Sequence, residues 1–192
     1  MNKILVLALL VCYSVVGQDL ISNQKLWSET NKLKAEDFKL KLENQSSDVI
    51  GSQFLISYEA KGFDFLKRNL NQRVKNIFIS NSSWIDSSKT DDINLHIEFH
   101  QLQFDLSEIY TRKFRKRLLI NKKKISKGFD EVNKIHNEIS EEFTKERMLF
   151  INETKSGRNK TQLDEWKLKI KEQLLSLHEF RFENTKKIKL KK

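Results

Sequence analysis

Residues 95–116 read LHIEFHQLQFDLSEIYTRKFRK. Whether this stretch is a helix or a strand decides the fold. Widened to Asp92–Asn121, it places apolar residues at Leu95, Phe99, Leu102, Leu106, Ile109, Tyr110 and Phe114. Gaps of three and four match a helix that buries one stripe, so the spacing predicts an amphipathic helix. The chain has no proline among its 192 residues, which favours long uninterrupted helices.

Working outward, Lys122–Phe150 repeats the pattern with Ile125, Phe129, Val132, Ile135, Ile139, Phe143 and Leu149, and predicts a second helix. Ser156-Gly157-Arg158 breaks it. A third helix is expected from Thr161 to about Glu183, with Leu163, Trp166, Ile170, Leu174 and Leu177 on one face. Upstream the period changes to two. Phe54, Ile56 and Tyr58 alternate within Gly51–Glu59, and Val74, Ile77 and Ile79 mark Arg73–Ser80, so both segments read as strands. Asp37-Phe38 reads as a short helix or an edge strand, and 81–88 as a polar loop around Trp84. Strands first and helices after give an α+β fold: a small, mainly antiparallel sheet followed by three long helices. One domain is expected over 18–183, with a basic tail at 184–192.

Residues 1–17 begin Met1-Asn2-Lys3, continue with the apolar run ILVLALLVCYSVV and end at Gly17. A basic head, a short apolar middle and a small residue at −1 describe a signal peptide, so export to the periplasm or cell exterior is expected. Cys12, the single cysteine, lies inside this run. Its removal leaves a chain without disulfide or thiolate chemistry.

The formal net charge is +10. A concentration of basic residues at Arg112, Lys113, Arg115, Lys116, Lys122, Lys123 and Lys124 predicts either a solvated face or attraction to an anionic surface such as an envelope component. A peptide, a protein or an anionic membrane surface is the expected partner class; nucleic acid is not expected.

The chemistry of residues 95–116 starts from two histidines. His96 and His100, four apart, project about 40° from one another on a helix and are close enough to share a metal ion. A peptidase motif His-Glu-x-x-His also needs a glutamate next to the first histidine, to polarise the metal-bound water. Position 97 is Ile, and Glu98 lies about 200° round the helix from His96. The pair alone is therefore not the motif.

Residues 103–116, QFDLSEIYTRKFRK, resemble a segment of a bacterial family of predicted secreted zinc-dependent peptidases filed as domain of unknown function 922. In that family HE-x-x-H is followed at once by a phenylalanine, an acidic residue, isoleucine or leucine, any residue, glutamate, isoleucine or leucine, tyrosine, any residue, arginine and lysine. Phe104, Asp105, Glu108, Tyr110 and Arg112 match this pattern. Further matches are Ser83-Trp84, Leu33–Phe38 (with Ala35 where the family has Trp), Glu146-Arg147, Glu153-Thr154, Gly157, Gln162 and Trp166. The resemblance spans about residues 30–177 and implies a zincin-like core.

In this register the family's first histidine falls on Phe99, its glutamate on His100 and its second histidine on Gln103. Its later tyrosine and histidine fall on Phe150 and Ser156. The resemblance makes zinc the family cofactor, yet neither Phe nor Gln supplies what zinc needs, so no metal and no catalytic residue are expected here. Glu108 matches the family's retained glutamate but lies about 140° round the helix from position 103, so a packing or supporting role is expected for it. The resulting expectation is an exported, non-catalytic relative of a zinc peptidase, with a peptide- or protein-binding role. Two alternatives stand beside it: a metallopeptidase with a shifted His96/His100 site, and a basic module for an anionic envelope component.

Overall fold

The computed structural model describes residues 23–41, 49–59, 69–89, 92–128 and 130–190. The expected signal peptide and Cys12 lie outside them. Strand β4 (Val74–Ile79) is central in a three-stranded sheet, with β1 (Gln24–Leu26) and β3 (Phe54–Tyr58) antiparallel on either side. Val74, Asn76 and Phe78 share one face of β4 and are buried. Helix α1 (Ile93–Ile120) crosses that face. The buried Asn76 fastens the two: its Nδ2 donates to Phe104 O at 3.2 Å, and Ser107 Oγ donates to its Oδ1.

A second, two-stranded ribbon pairs β2 (Ile50–Gly51) with β5 (Trp84–Ile85), and Leu40 bridges Trp84 in parallel. The Trp84 ring lies so close over Gly51 that a Cβ there would meet the ring at 2.2 Å. Only glycine allows this pairing.

The Asp92 side chain caps α1 by accepting from Leu95 N at 3.0 Å. After a short α2 (Lys122–Ile125), α3 (Asp130–Glu153) and α4 (Lys160–Ser176) pack on α1. Between them, Lys155, Ser156 and Gly157 have φ of 49°, 55° and 87°. Three successive left-handed residues reverse the chain tightly, and two of them are not glycine, so the turn carries strain. The Thr154 hydroxyl anchors it, donating to Phe150 O at 2.6 Å. Asn159 then caps α4.

The α+β plan is as the periodicity predicts, with differences of detail. The expected helix over 122–150 is interrupted at 126–128, where Gly128 weakens helix propensity. Asp37 belongs to a single 3₁₀ turn, and Trp84 lies in a strand instead of a loop. The third helix stops at Ser176, and the chain turns back through His178–Phe180. Of the expected tail at 184–192, residues 184–190 are described, and part of them packs on the rest of the chain. Asn69 Nδ2 donates to Asn184 O and Lys186 O at 2.9 and 2.6 Å, and Ile188 is buried. Among the described residues no helix is long and apolar enough to cross a membrane.

Arg112 and Arg115 also depart from expectation. Placed on the cationic surface by composition, both are inside the molecule, 3% and 1% exposed. Positions 108, 112 and 115 share one face of α1, and that face is covered. Glu108 Oε1 accepts from Arg112 Nε at 3.0 Å and from Arg115 Nη1 at 2.8 Å. Arg115 also donates to Val74 O and Phe180 O, and Arg112 donates to Leu174 O. One charged cluster thus ties α1 to β4, to α4 and to the turn after it.

Candidate functional site

The first turns of α1 present Phe99, His100 and Gln103 to a single cleft of about 380 Å³. The β2 side contributes Ser52 and Trp84, and α3 with its turn into α4 contributes Arg147, Ser156 and Arg158. Four of the five positions to which the resemblance assigns altered chemistry, Phe99, His100, Gln103 and Ser156, line one cavity although they span 58 positions of sequence from 99 to 156, and the fifth, Phe150, stacks on Phe99.

Each of the three on α1 is held in place. Arg147 Nε donates to Gln103 Oε1 at 2.8 Å, which fixes the amide so that its Nε2 faces His100 Nδ1 at 3.5 Å. Nδ1 is then the acceptor, and the Ser52 hydroxyl donates to it at 2.6 Å. The tautomer assigned by this network carries its proton on Nε2. Burial, with lesser contributions from Arg147 and His96, pushes the His100 pKa down to about 3. His100 is thus a neutral imidazole at physiological pH.

Phe99 stacks on Phe150 with ring centroids 5.1 Å apart, and Phe150 meets Trp166 edge-on at 5.4 Å. Gly157 closes on the Phe99 ring, where a Cβ would stand 3.2 Å away at a φ of 87°. The two positions that the resemblance assigns to a histidine and a tyrosine are filled by an aromatic stack that belongs to the core.

These residues do not fit a zinc ion. Among the described residues no carboxylate lines the cleft, and two guanidiniums do. His100 Nδ1 is taken by Ser52, and Phe99 has no donor atom. His96 lines the same cleft, so the structure does bring the histidine pair together, but it adds no third ligand. Glu98 instead pairs with Lys167. His136 rests 5.6 Å from the Phe114 ring, about 20 Å down the helix from His100. His178 lines a different cavity. Among the described residues no group of three or more His, Cys, Asp or Glu is placed to hold a metal ion.

The remaining matched positions serve packing. Phe104 stacks on Phe54 at 5.3 Å. Asp105 Oδ1 accepts from Trp27 Nε1 and Gln101 Nε2, both at 2.7 Å. Glu153 accepts from Trp166 Nε1 at 2.8 Å, across the turn that Thr154 anchors. The Tyr110 phenol, near the Phe143 ring, is pushed up to about 12, chiefly by burial and then by Glu146 and Glu142. Of the predicted cationic surface, Lys116, Lys123 and Lys124 remain exposed, while Lys113 is partly covered over the Tyr110 ring and Lys122 is half-buried.

Residue patterns gave no indication of Ser52 and Arg158, and marked Arg147 only as half of a matched Glu-Arg pair. Ser52 lies 48 residues from the histidine it holds, so no local spacing reveals the pair. Comparison of the chain with family models, with curated proteins and with solved structures finds no match.

Proposed function

We propose that the chain is an exported, non-catalytic binding protein on a zincin-like scaffold, related to the zinc-dependent peptidases it resembles, and that its cleft accepts a segment of peptide. One observation supports this most: four of the five positions altered relative to the peptidase pattern line one cleft, and the three of them on α1 are held in contacts that leave no metal-ligand set among the described residues. The cleft itself remains open. Its volume, about 380 Å³, falls in the lower part of the range of ~300–1,000 Å³ in which ligand sites are found. Apolar Val49, Ile50, Trp84 and Ile151 line it beside the polar groups, a mixture suited to a peptide. The leader at 1–17 is what supports export.

The test is elemental analysis of the purified protein, together with incubation against a broad peptide library. The expected result is no stoichiometric zinc, no chelator-sensitive cleavage, and retention of a subset of peptides. About one zinc per chain, lost on His100→Ala, would overturn the reading in favour of a metal site.

A further inference from the structure

We infer that the group recognised in the cleft is a carboxylate carried by the peptide, and that Arg147 is the residue that pairs with it. This rests on the peptide-binding reading above and specifies its chemistry.

Arg147 is half-buried, and desolvation holds its pKa below the ordinary arginine value. Its Nε is committed to Gln103, and its guanidinium stands 5.5 Å from the centre of the Phe54 ring. No carboxylate pairs with it among the described residues. A guanidinium taken partly out of water without a counter-ion is costly, and its remaining N–H groups stay free for a ligand. The forked geometry of those N–H groups matches a carboxylate.

The other polar groups of the cleft point to the same ligand. Arg158 lines the cavity and has no ion pair among the described residues. His100 carries its proton on Nε2, which has no acceptor among the described residues. The Trp84 indole N–H is buried with no hydrogen-bond partner among the described residues. Among the described residues the charged groups of this wall are cationic, and its buried spare N–H groups are donors, a set complementary to an anionic acceptor. It also differs from the lysine cluster at 122–124, where Lys123 and Lys124 are exposed to solvent and screened by salt.

A peptide carboxylate can come from an acidic side chain or from the C-terminus. Three acetylated hexapeptides of alanine and serine separate these sources: one amidated and uncharged, one ending in a free carboxylate, and one amidated with two central glutamates. Each is titrated calorimetrically into the purified protein at about 0.15 M salt, where exposed charges are largely screened. The expected result is that at least one charged peptide binds about tenfold or more tightly than the uncharged one. Arg147→Gln should remove that preference, Arg147→Lys should keep part of it, and K122Q/K123Q/K124Q should leave it unchanged. Thermal melting of each variant checks that it is folded.

Equal binding of the uncharged peptide would overturn the carboxylate inference and leave the peptide-binding reading standing. Binding of glutarate that depends on Arg147, with no peptide bound, would keep the carboxylate site and overturn the peptide reading. No binding of any probe at millimolar concentration would overturn both. Loss of the preference in the triple lysine variant, with Arg147→Gln unaffected, would move the recognition to the surface.

Discussion

At Glu108 a single carboxylate serves two guanidiniums, and every charged group there is almost wholly buried. Five residues earlier on the same helix, Gln103 accepts from Arg147, a guanidinium that no carboxylate serves among the described residues. Both places put arginine against α1. In the first, the charges are neutralised and the surplus is spread over the carbonyls of Val74, Leu174 and Phe180, so the cluster is complete without help. In the second the neutralising group is missing and the cavity beside it is open. A buried charge with its partner marks structure, and a half-buried charge without one marks a place for a ligand.

The largest expected effect comes from breaking the complete cluster. Glu108→Ala leaves two guanidiniums facing each other without a counter-charge. Removing one partner of a buried ion pair costs about 3–5 kcal/mol. Chemical denaturation should show a loss of this size. A loss below about 1 kcal/mol, the value of an exposed pair, would mean that the cluster is hydrated and that the contrast with Arg147 is false.

A smaller effect should come from pH, acting at the cleft end of the helix. The folded pKa of His100 is about 3, below the 6.5 of an unfolded histidine. The unfolded chain therefore takes up this proton first as pH falls. Stability from the neutral imidazole is complete above pH 6.5 and is lost as pH falls from 6.5 toward 3. The slope is about 1.4 kcal/mol per pH unit for one proton. Unfolding curves from pH 7 to pH 5 should thus fall by roughly 2 kcal/mol more in the native protein than in His100→Gln. Parallel curves would show that Ser52 does not hold a neutral ring.

The two ends of α1 also differ in how far their sequences disclosed them. The helix itself was legible, because Leu95 to Phe114 repeat at the helical period, and β3 and β4 were legible because they are long enough to show alternation. The short strands β1, β2 and β5 have two or three residues each, too few for a period. Arg112 and Arg115 were misread because a basic residue looks the same in a sequence whether or not its face is covered. The i, i+4 and i, i+7 relation of Glu108 to these arginines was visible, but only the covering of that face by β4 and the α4 end makes it an internal cluster. The Ser52–His100 pair was invisible, being set by the register of β2 against β5 and not by any neighbouring residues.

Gly51→Ala tests how much of the cleft wall depends on that register. A Cβ would stand 2.2 Å from the Trp84 ring, so the ring must move. Overpacking of this kind costs about 1–3 kcal/mol. The expected result is a loss in that range with a shift in tryptophan fluorescence and weaker retention of peptides. Unchanged fluorescence and unchanged retention would show that Trp84 does not shape the cleft.

Arg147→Met gives the smallest expected change in stability and the sharpest contrast with Glu108→Ala. Methionine keeps the length of the stem and most of its packing on Phe54. The substitution removes a hydrogen bond to Gln103 worth about 1 kcal/mol. It also removes an uncompensated charge whose desolvation opposes folding. The two terms have opposite sign, so stability should stay within about 1 kcal/mol of the native protein. The expected outcome is therefore a protein as stable as the original that has lost its preference for charged peptides. A loss above about 3 kcal/mol would place Arg147 in the same class as Arg115, as part of the frame. The difference between the two ends of α1 would then be one of burial alone, with no bearing on what binds.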